Sequence, residues 1–312
     1  MIARTFVPAD LEACLAIRPA RIGQERIGYE RALSAWKILI KYAGFRSLVI
    51  EATEPILGHR VVGFGAAVFV SSDFARDETL HPRPGLNERI IFSIHSGRPV
   101  VLTDAQLRRE NTDGGLSLAV LLSDWRRDIL SPEHIAGIKL ALAQSGVGVL
   151  SGYRLEKMLL EALDPIDVAY LESTGVCRIV RDFAGLHPGK PEGAGALFAI
   201  DKTSAGSVLG SVATFVFHYT PPIIRFKKGD QQLLCAALEG LTDHELAPHL
   251  DLKMQTVKKR WASVYAQVAE ALPDLLPECG NDVNRQTRGP QKRHHLLAYL
   301  RNHSEELRPF NR

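Results

Sequence analysis

Six residues near the C-terminus have the types and spacing for contact with a polyanion: Lys253, Gln255, Thr256, Lys258, Lys259 and Arg260. Ammonium and guanidinium groups neutralise phosphates and release their counterions, and they donate to the O6 and N7 edge of guanine. Val257, Trp261, Val264, Tyr265 and Val268 recur through the same stretch at helical spacing, which places the apolar residues on one face and Gln255, Lys258, Lys259, Ala262 and Ser263 on the other. One face packs, and the other is free to meet a ligand.

Two further segments must hold such a helix in place. Asp230 to Glu239 carries Leu233, Leu234, Ala237 and Leu238 at a helical period, and Gly240 is a suitable C-cap. Thr242 with Glu245 three residues on forms a capping box for a second helix, in which Leu246 and Leu250 face inward. Asp251-Leu252 leaves room only for a sharp turn, for which aspartate tolerates the left-handed conformation. Pro248 falls inside the second helix and should kink or shorten it. Lys253 stands at the next N-cap, where a serine-like residue is preferred.

These residues resemble the helix-turn-helix of the LuxR family of bacterial transcription regulators. The resemblance rests on Asp230, Leu233, Glu239-Gly240-Leu241-Thr242-Asp243, Glu245-Leu246-Ala247, Leu250, Leu252, Thr256-Val257-Lys258 and Arg260, without a gap over roughly 43 residues. It implies that the third helix enters the major groove of double-stranded DNA, with Lys258 and Lys259 at base-contacting positions and Thr256 and Arg260 near phosphates. It also implies a homodimer on a two-fold site.

The net charge of +3 divides unevenly: from Arg225 onward there are 14 Lys and Arg against 11 Asp and Glu, and before it 24 against 24. The excess lies with the cationic helix. No apolar run is long enough to span a membrane, and the N-terminus lacks the pattern of a secretory signal. Four scattered cysteines, Cys14, Cys177, Cys235 and Cys279, form neither a metal grip nor a disulfide frame. The sequence therefore predicts a cytoplasmic chain with no metal and no cofactor. His59, His81 and His95 lack partner patterns and read as surface or core residues, and Arg108-Arg109-Glu110 reads as a solvated loop. Trp125-Arg126-Arg127 could grip an anionic ligand, with a structural role the plainer alternative.

The first 220 residues alternate strand-like and helix-like segments. A short strand and helix over residues 2–18, a helix over 24–42 and a hairpin of Ser47–Glu51 with Arg60–Val70 open the chain. Asn87–Gly97, Pro132–Gln144 and Arg154–Leu163 read as helices; Pro99–Thr103, Gly175–Phe183, Ala196–Ile200 and Val208–Tyr219 read as strands. A Gly/Pro loop spans residues 185–195, and Pro221-Pro222 marks a domain boundary.

This opening, with PADLEACLAI at the first helix, resembles the first third of an acetyl-CoA-dependent N-acetyltransferase. That family holds the pyrophosphate of coenzyme A on a (Q/R)-x-x-G-x-(G/A) loop at a helix start. The nearest match here, Gln144-Ser145-Gly146-Val147-Gly148, is one residue short. No phosphate loop of the G-x-x-x-x-G-K-(S/T) type occurs, and the patterns of acyl-homoserine-lactone receptors and phospho-acceptor receivers are missing.

The expectation is an α+β chain. Residues 1–220 form a mixed α/β sensor-like domain that binds a small-molecule effector or a partner, and 221–312 form an all-α helix-turn-helix domain with a helical extension. The function that follows is non-enzymatic transcription regulation. The alternative is an N-acetyltransferase-like or acyl-CoA-binding enzyme with an appended DNA-targeting domain.

Overall fold

Seven strands form one sheet in the order β1-β2-β3-β4-β5-β7-β6. They are β1 (Ile2–Thr5), β2 (Phe45–Ile56), β3 (His59–Val70), β4 (Leu116–Trp125), β5 (Leu155–Ala162), β6 (Arg178–Asp182) and β7 (Ala196–Asp201). Every neighbouring pair is antiparallel except β4 with β5, which run parallel. The parallel pair needs a crossover, supplied by a helix of 19 residues between them (Pro132–Leu150). This computed structural model describes residues 1–17, 27–184, 195–276 and 288–311. By contacts the chain splits into two compact units, Met1–His218 and Tyr219–Arg312.

In the first unit the described helices are α1 (Leu11–Leu15), α2 (Tyr29–Leu39), α3 (Ser72–Leu80), α4 (Leu86–His95), α5 (Asp104–Arg109), α6 (Pro132–Leu150), α7 (Pro165–Ser173), α8 (Lys202–Gly206) and α9 (Val212–Phe217). One core joins α1, α2 and α4 to the sheet through Leu15, Trp36, Leu39, Ile90 and Ile91, all essentially fully buried, with Phe64 and Val68 of β3. The face covered by α6 carries a smaller cluster of Leu48, Ile50, Val62, Trp125 and Ile138. Arg4 ties β1 to Asp10 and to Glu51 of β2 at 2.6 and 2.7 Å.

Several segments differ from the sequence expectation. Arg154–Leu163 is the central strand β5, because a strand buried between two neighbours needs no alternation and its leucines also satisfy a helical period. Val208–Tyr219 contains α9, where Ser211 caps the helix by accepting from the Ala213 amide despite the β-branched residues that follow. Pro99–Thr103 contributes only an isolated bridge between Val101 and Val70. The hairpin is longer than expected, with Pro55 inside β2 and the turn at Leu57-Gly58. Arg108-Arg109 ends α5, with Arg108 on Asp104 and Glu110 opening a π turn, so this cluster is ordered. The start of the helix expected from Gln24, the 185–195 loop except its last residue, and Cys279 lie outside the described residues.

In the second unit the described helices are α10 (Lys228–Leu238), α11 (Asp243–His249), α12 (Met254–Ala271) and α13 (Arg288–Asn302). Gly240 has φ 94° after α10, and Asp251 has φ 51° between α11 and α12. The capping box forms: Thr242 N and Oγ1 donate to Glu245 at 2.8 and 2.7 Å, which holds that carboxyl below its usual range. Pro248 sits one residue before the end of α11, so the bond it cannot donate is lost from the last turn and the helix stays short. Leu233, Leu234, Leu246, Val257, Val264, Val268 and Leu296 are fully buried together, with Trp261 packed beside them. One oxygen, Asp243 Oδ1, accepts from Trp261 Nε1 at 3.1 Å and from Arg293 Nη1 at 2.9 Å.

Candidate functional site

The parallel contact between β4 and β5 is incomplete. Pairing runs from Leu116 with Leu155 to Val120 with Leu160 and stops. Beyond that point β4 continues to Trp125 bonded to β3, while β5 continues to Ala162 bonded to β7. The β3 register also slips here: Ala67 pairs with Val120 and Ala66 with Leu122, leaving Leu121 as a bulge. A bulge bends its strand and increases local twist, so β4 turns away from β5 in mid-sheet. Val120 and its β5 partner Leu160 are both only half-buried.

The gap is a cleft of about 360 Å³ lined by Gly85, Asn87, Glu88, Val120, Leu121, Glu161 and Leu163. Its geometry is set from α4. Glu161 of β5 accepts from the Gly85 and Leu86 amides, both at 2.7 Å, so its two oxygens cap the helix start. A carboxylate there also opposes the positive end of the helix dipole. Gly85 takes φ 86°, a conformation that a side chain would strain. Asn87 Nδ2 donates to the carbonyl of the bulged Leu121 at 3.4 Å. The approach to this element is fixed by buried Glu78, which receives Arg89 at 2.7 and 2.5 Å.

The start of α6 lies just beyond β4. Ser131 is its N-cap, Pro132 lacks an N–H and Glu133 puts a negative charge in the first turn. Arg127 is spent on Asp167 at 2.6 Å and Asp164 at 3.3 Å, and Arg126 on His59 and Asp128. These pairs tie the segment down, while Trp125 Nε1, Arg126 Nε and Arg127 Nε are buried with no hydrogen-bond partner among the described residues. Gln144–Gly148, the nearest match to a phosphate loop though one residue short of it, lies inside α6 and not at a helix start. This helix start does not fit a pyrophosphate.

The residues singled out on α12 are placed as their spacing requires. Lys253, Gln255, Lys258 and Lys259 are exposed, and Thr256 and Arg260 are half-buried. Arg260 Nη1 donates to the Gly229 carbonyl at 3.0 Å, and Arg293 is held by Asp243, the Leu241 carbonyl and the Trp261 ring. Part of the cationic character is therefore structural. Burial pushes the Cys14 thiol up to about 12 and raises that of Cys177, which removes both as reactive thiolates at neutral pH. Among the described residues no group of three or more His, Cys, Asp and Glu side chains is arranged to hold a metal. Nor is any described helix long and apolar enough to cross a membrane.

Comparison with solved structures bears on these features. The chain is similar to FeeM, an N-acyl amino acid synthase from uncultured soil microbes, at 11% identity over 67% of this chain and 94% of that one, with TM-score 0.38. It is similar to NAA60 of Arabidopsis thaliana in complex with a bisubstrate analogue, at 18% identity over 64% and 97%, with TM-score 0.39. A third match is the GNAT-like decarboxylase GphF in complex with isobutyryl-CoA, at 15% identity over 64% and 99%, with TM-score 0.35. No protein family model and no curated protein matches the chain.

The expectation of a non-enzymatic LuxR-type transcription regulator is thereby corrected: these three neighbours are an acyl synthase and proteins seen with a bisubstrate analogue or an acyl-CoA, and none is a transcription regulator. The regulator reading rested on roughly 43 residues of local motif in the second unit. The residues that build the cleft went unmarked in the sequence. Glu161 is one of two carboxylates in LEKMLLEA with nothing in the sequence to set it apart from Glu156, and the strand bulge at Leu121 leaves no signature among the leucines.

Proposed function

We propose that the chain transfers an acyl group from a pantetheine thioester to an amine in the cleft between β4 and β5. The observation that carries this reading is the parting of two parallel strands at the Leu121 bulge, which leaves the β5-facing edge of β4 without a strand partner beyond Val120. A strand edge offers amide N–H and C=O groups to any extended ligand that can complete the ladder. The pantetheine arm is such a ligand, since it is extended and carries two amides.

In the transfer the amine nitrogen attacks the thioester carbonyl, a C–N bond forms and the C–S bond breaks. The amine gives up a proton and the departing thiolate takes one up. Negative charge develops on the carbonyl oxygen, where backbone N–H donors of the open edge lower the barrier. Glu88 is a carboxylate of the same wall, and general-base removal of the amine proton is the role its chemistry offers. Glu161, committed to two amides, positions α4. The start of α6 does not suit a pyrophosphate, so the thioester and its pantetheine arm are the part of the donor that the cleft recognises.

The test is amine-dependent thiol release from acyl-pantetheine and from the matching acyl-CoA, with the amide product identified by mass spectrometry. Glu88→Gln is expected to slow turnover about 100-fold while leaving donor binding intact. Absence of thiol release and of any thermal shift with either donor would overturn the reading.

A further inference from the structure

A second cavity lies on the opposite face of the sheet, beneath α6. Its lining is almost wholly apolar. Its floor is Leu48 of β2 with Gly65 and Ala67 of β3. Its roof is Leu142, Gly146, Val149 and Leu150, which share one face of α6 at i, i+4, i+7 and i+8. Those roof residues are only half-buried, although α6 is rich in apolar residues. A helix face of this kind normally fills the space over its sheet; here Gly65, Ala67 and Gly146 leave part of it unfilled. Arg46 borders the cavity, but its donors are taken by the Ala43 and Phe45 carbonyls and the Tyr153 hydroxyl, and its guanidinium lies over the Tyr153 ring. It therefore contributes mainly its aliphatic stem.

The two cavities share a wall. Val120, the last residue of β4 paired with β5, lines both the cleft and this space. An acyl group whose thioester sits where the strands part therefore has an apolar void within reach on the α6 side. We propose that this void takes the acyl chain of the donor, and that the preferred donor carries a linear alkyl chain well beyond acetyl. The inference rests on the acyl-transfer reading and gives it a substrate class. An acetyl group would leave the space unfilled, whereas each methylene that enters it tightens binding roughly three- to four-fold.

The experiment measures affinities of acetyl-, hexanoyl- and decanoyl-pantetheine for the full chain and two variants. A Cβ added at Gly146 meets nothing within 4 Å, so Gly146→Phe fills the cavity without a clash at its base. Gly137 is equally open and does not line the cavity, so Gly137→Phe is the matched control. Wild type and Gly137→Phe are expected to tighten at least ten-fold from acetyl to decanoyl, and Gly146→Phe to bind all three as it binds acetyl. Equal affinities in the wild type, or an unchanged chain-length dependence in Gly146→Phe, would overturn the inference while leaving acyl transfer standing. Binding of none of the three would remove the acyl-transfer reading and this one with it.

Discussion

Two helices of nearly equal length behave in opposite ways. α12, with 18 residues, closes on its neighbours through Val257, Trp261, Val264 and Val268. α6, with 19 residues and a more apolar composition, buries only Ile138 and stands over a cavity. Close packing costs nothing to maintain, whereas an unfilled apolar space forfeits contacts on every wall. α12 is therefore a finished piece of architecture, and α6 is a lid over room kept for something else.

Substitutions test this contrast directly. Trp261→Ala should destabilise the second unit by about 3–5 kcal/mol, the usual cost of removing a large buried aromatic, read as a shift of its urea transition by circular dichroism. The void left in α12 would be new, and the Asp243 oxygen would lose a donor. Glu161→Gln should cost about 1–3 kcal/mol, because one of the two amides at the start of α4 loses its acceptor. The same variant should weaken donor binding, since the cleft wall is held by that capping. Leu142→Ala on α6 should cost only about 1 kcal/mol, below the ~2–5 of an ordinary buried leucine, because its side chain already borders open space. A loss as large as that of Trp261→Ala would show that α6 is as tightly packed as α12.

The smallest effect concerns acid. Hydrogen bonds from Arg4 hold Asp10 below the usual carboxylate range. A depressed folded value means that this contribution is present above the unfolded pKa of about 3.9 and is lost as pH falls through the folded one. Between pH 5 and 2 the first unit should lose stability with a slope that Asp10→Asn flattens. An unchanged slope would remove the Arg4 clasp from the account.

Much of the second unit was legible in the sequence because its signals are local. A capping box needs Thr242 and Glu245 three residues apart, a tight turn needs Asp251, and an amphipathic helix needs its period. The sheet was only partly legible. Leu155 to Ala162 satisfies helix and strand patterns equally, and the choice falls to strands distant in the chain. The cleft was illegible for the same reason, since a register slip at Leu121 is a relation among β3, β4 and β5 and not a property of any residue. The misassigned function follows from that asymmetry: short-range signals were loud, and long-range ones were silent.

Asp243 carries a consequence for how this chain tolerates change. Because a single oxygen serves both the indole of Trp261 and the guanidinium of Arg293, the effects of changing these partners are coupled. Variation at these three positions should be epistatic, with losses that fail to add and replacements that survive only in company.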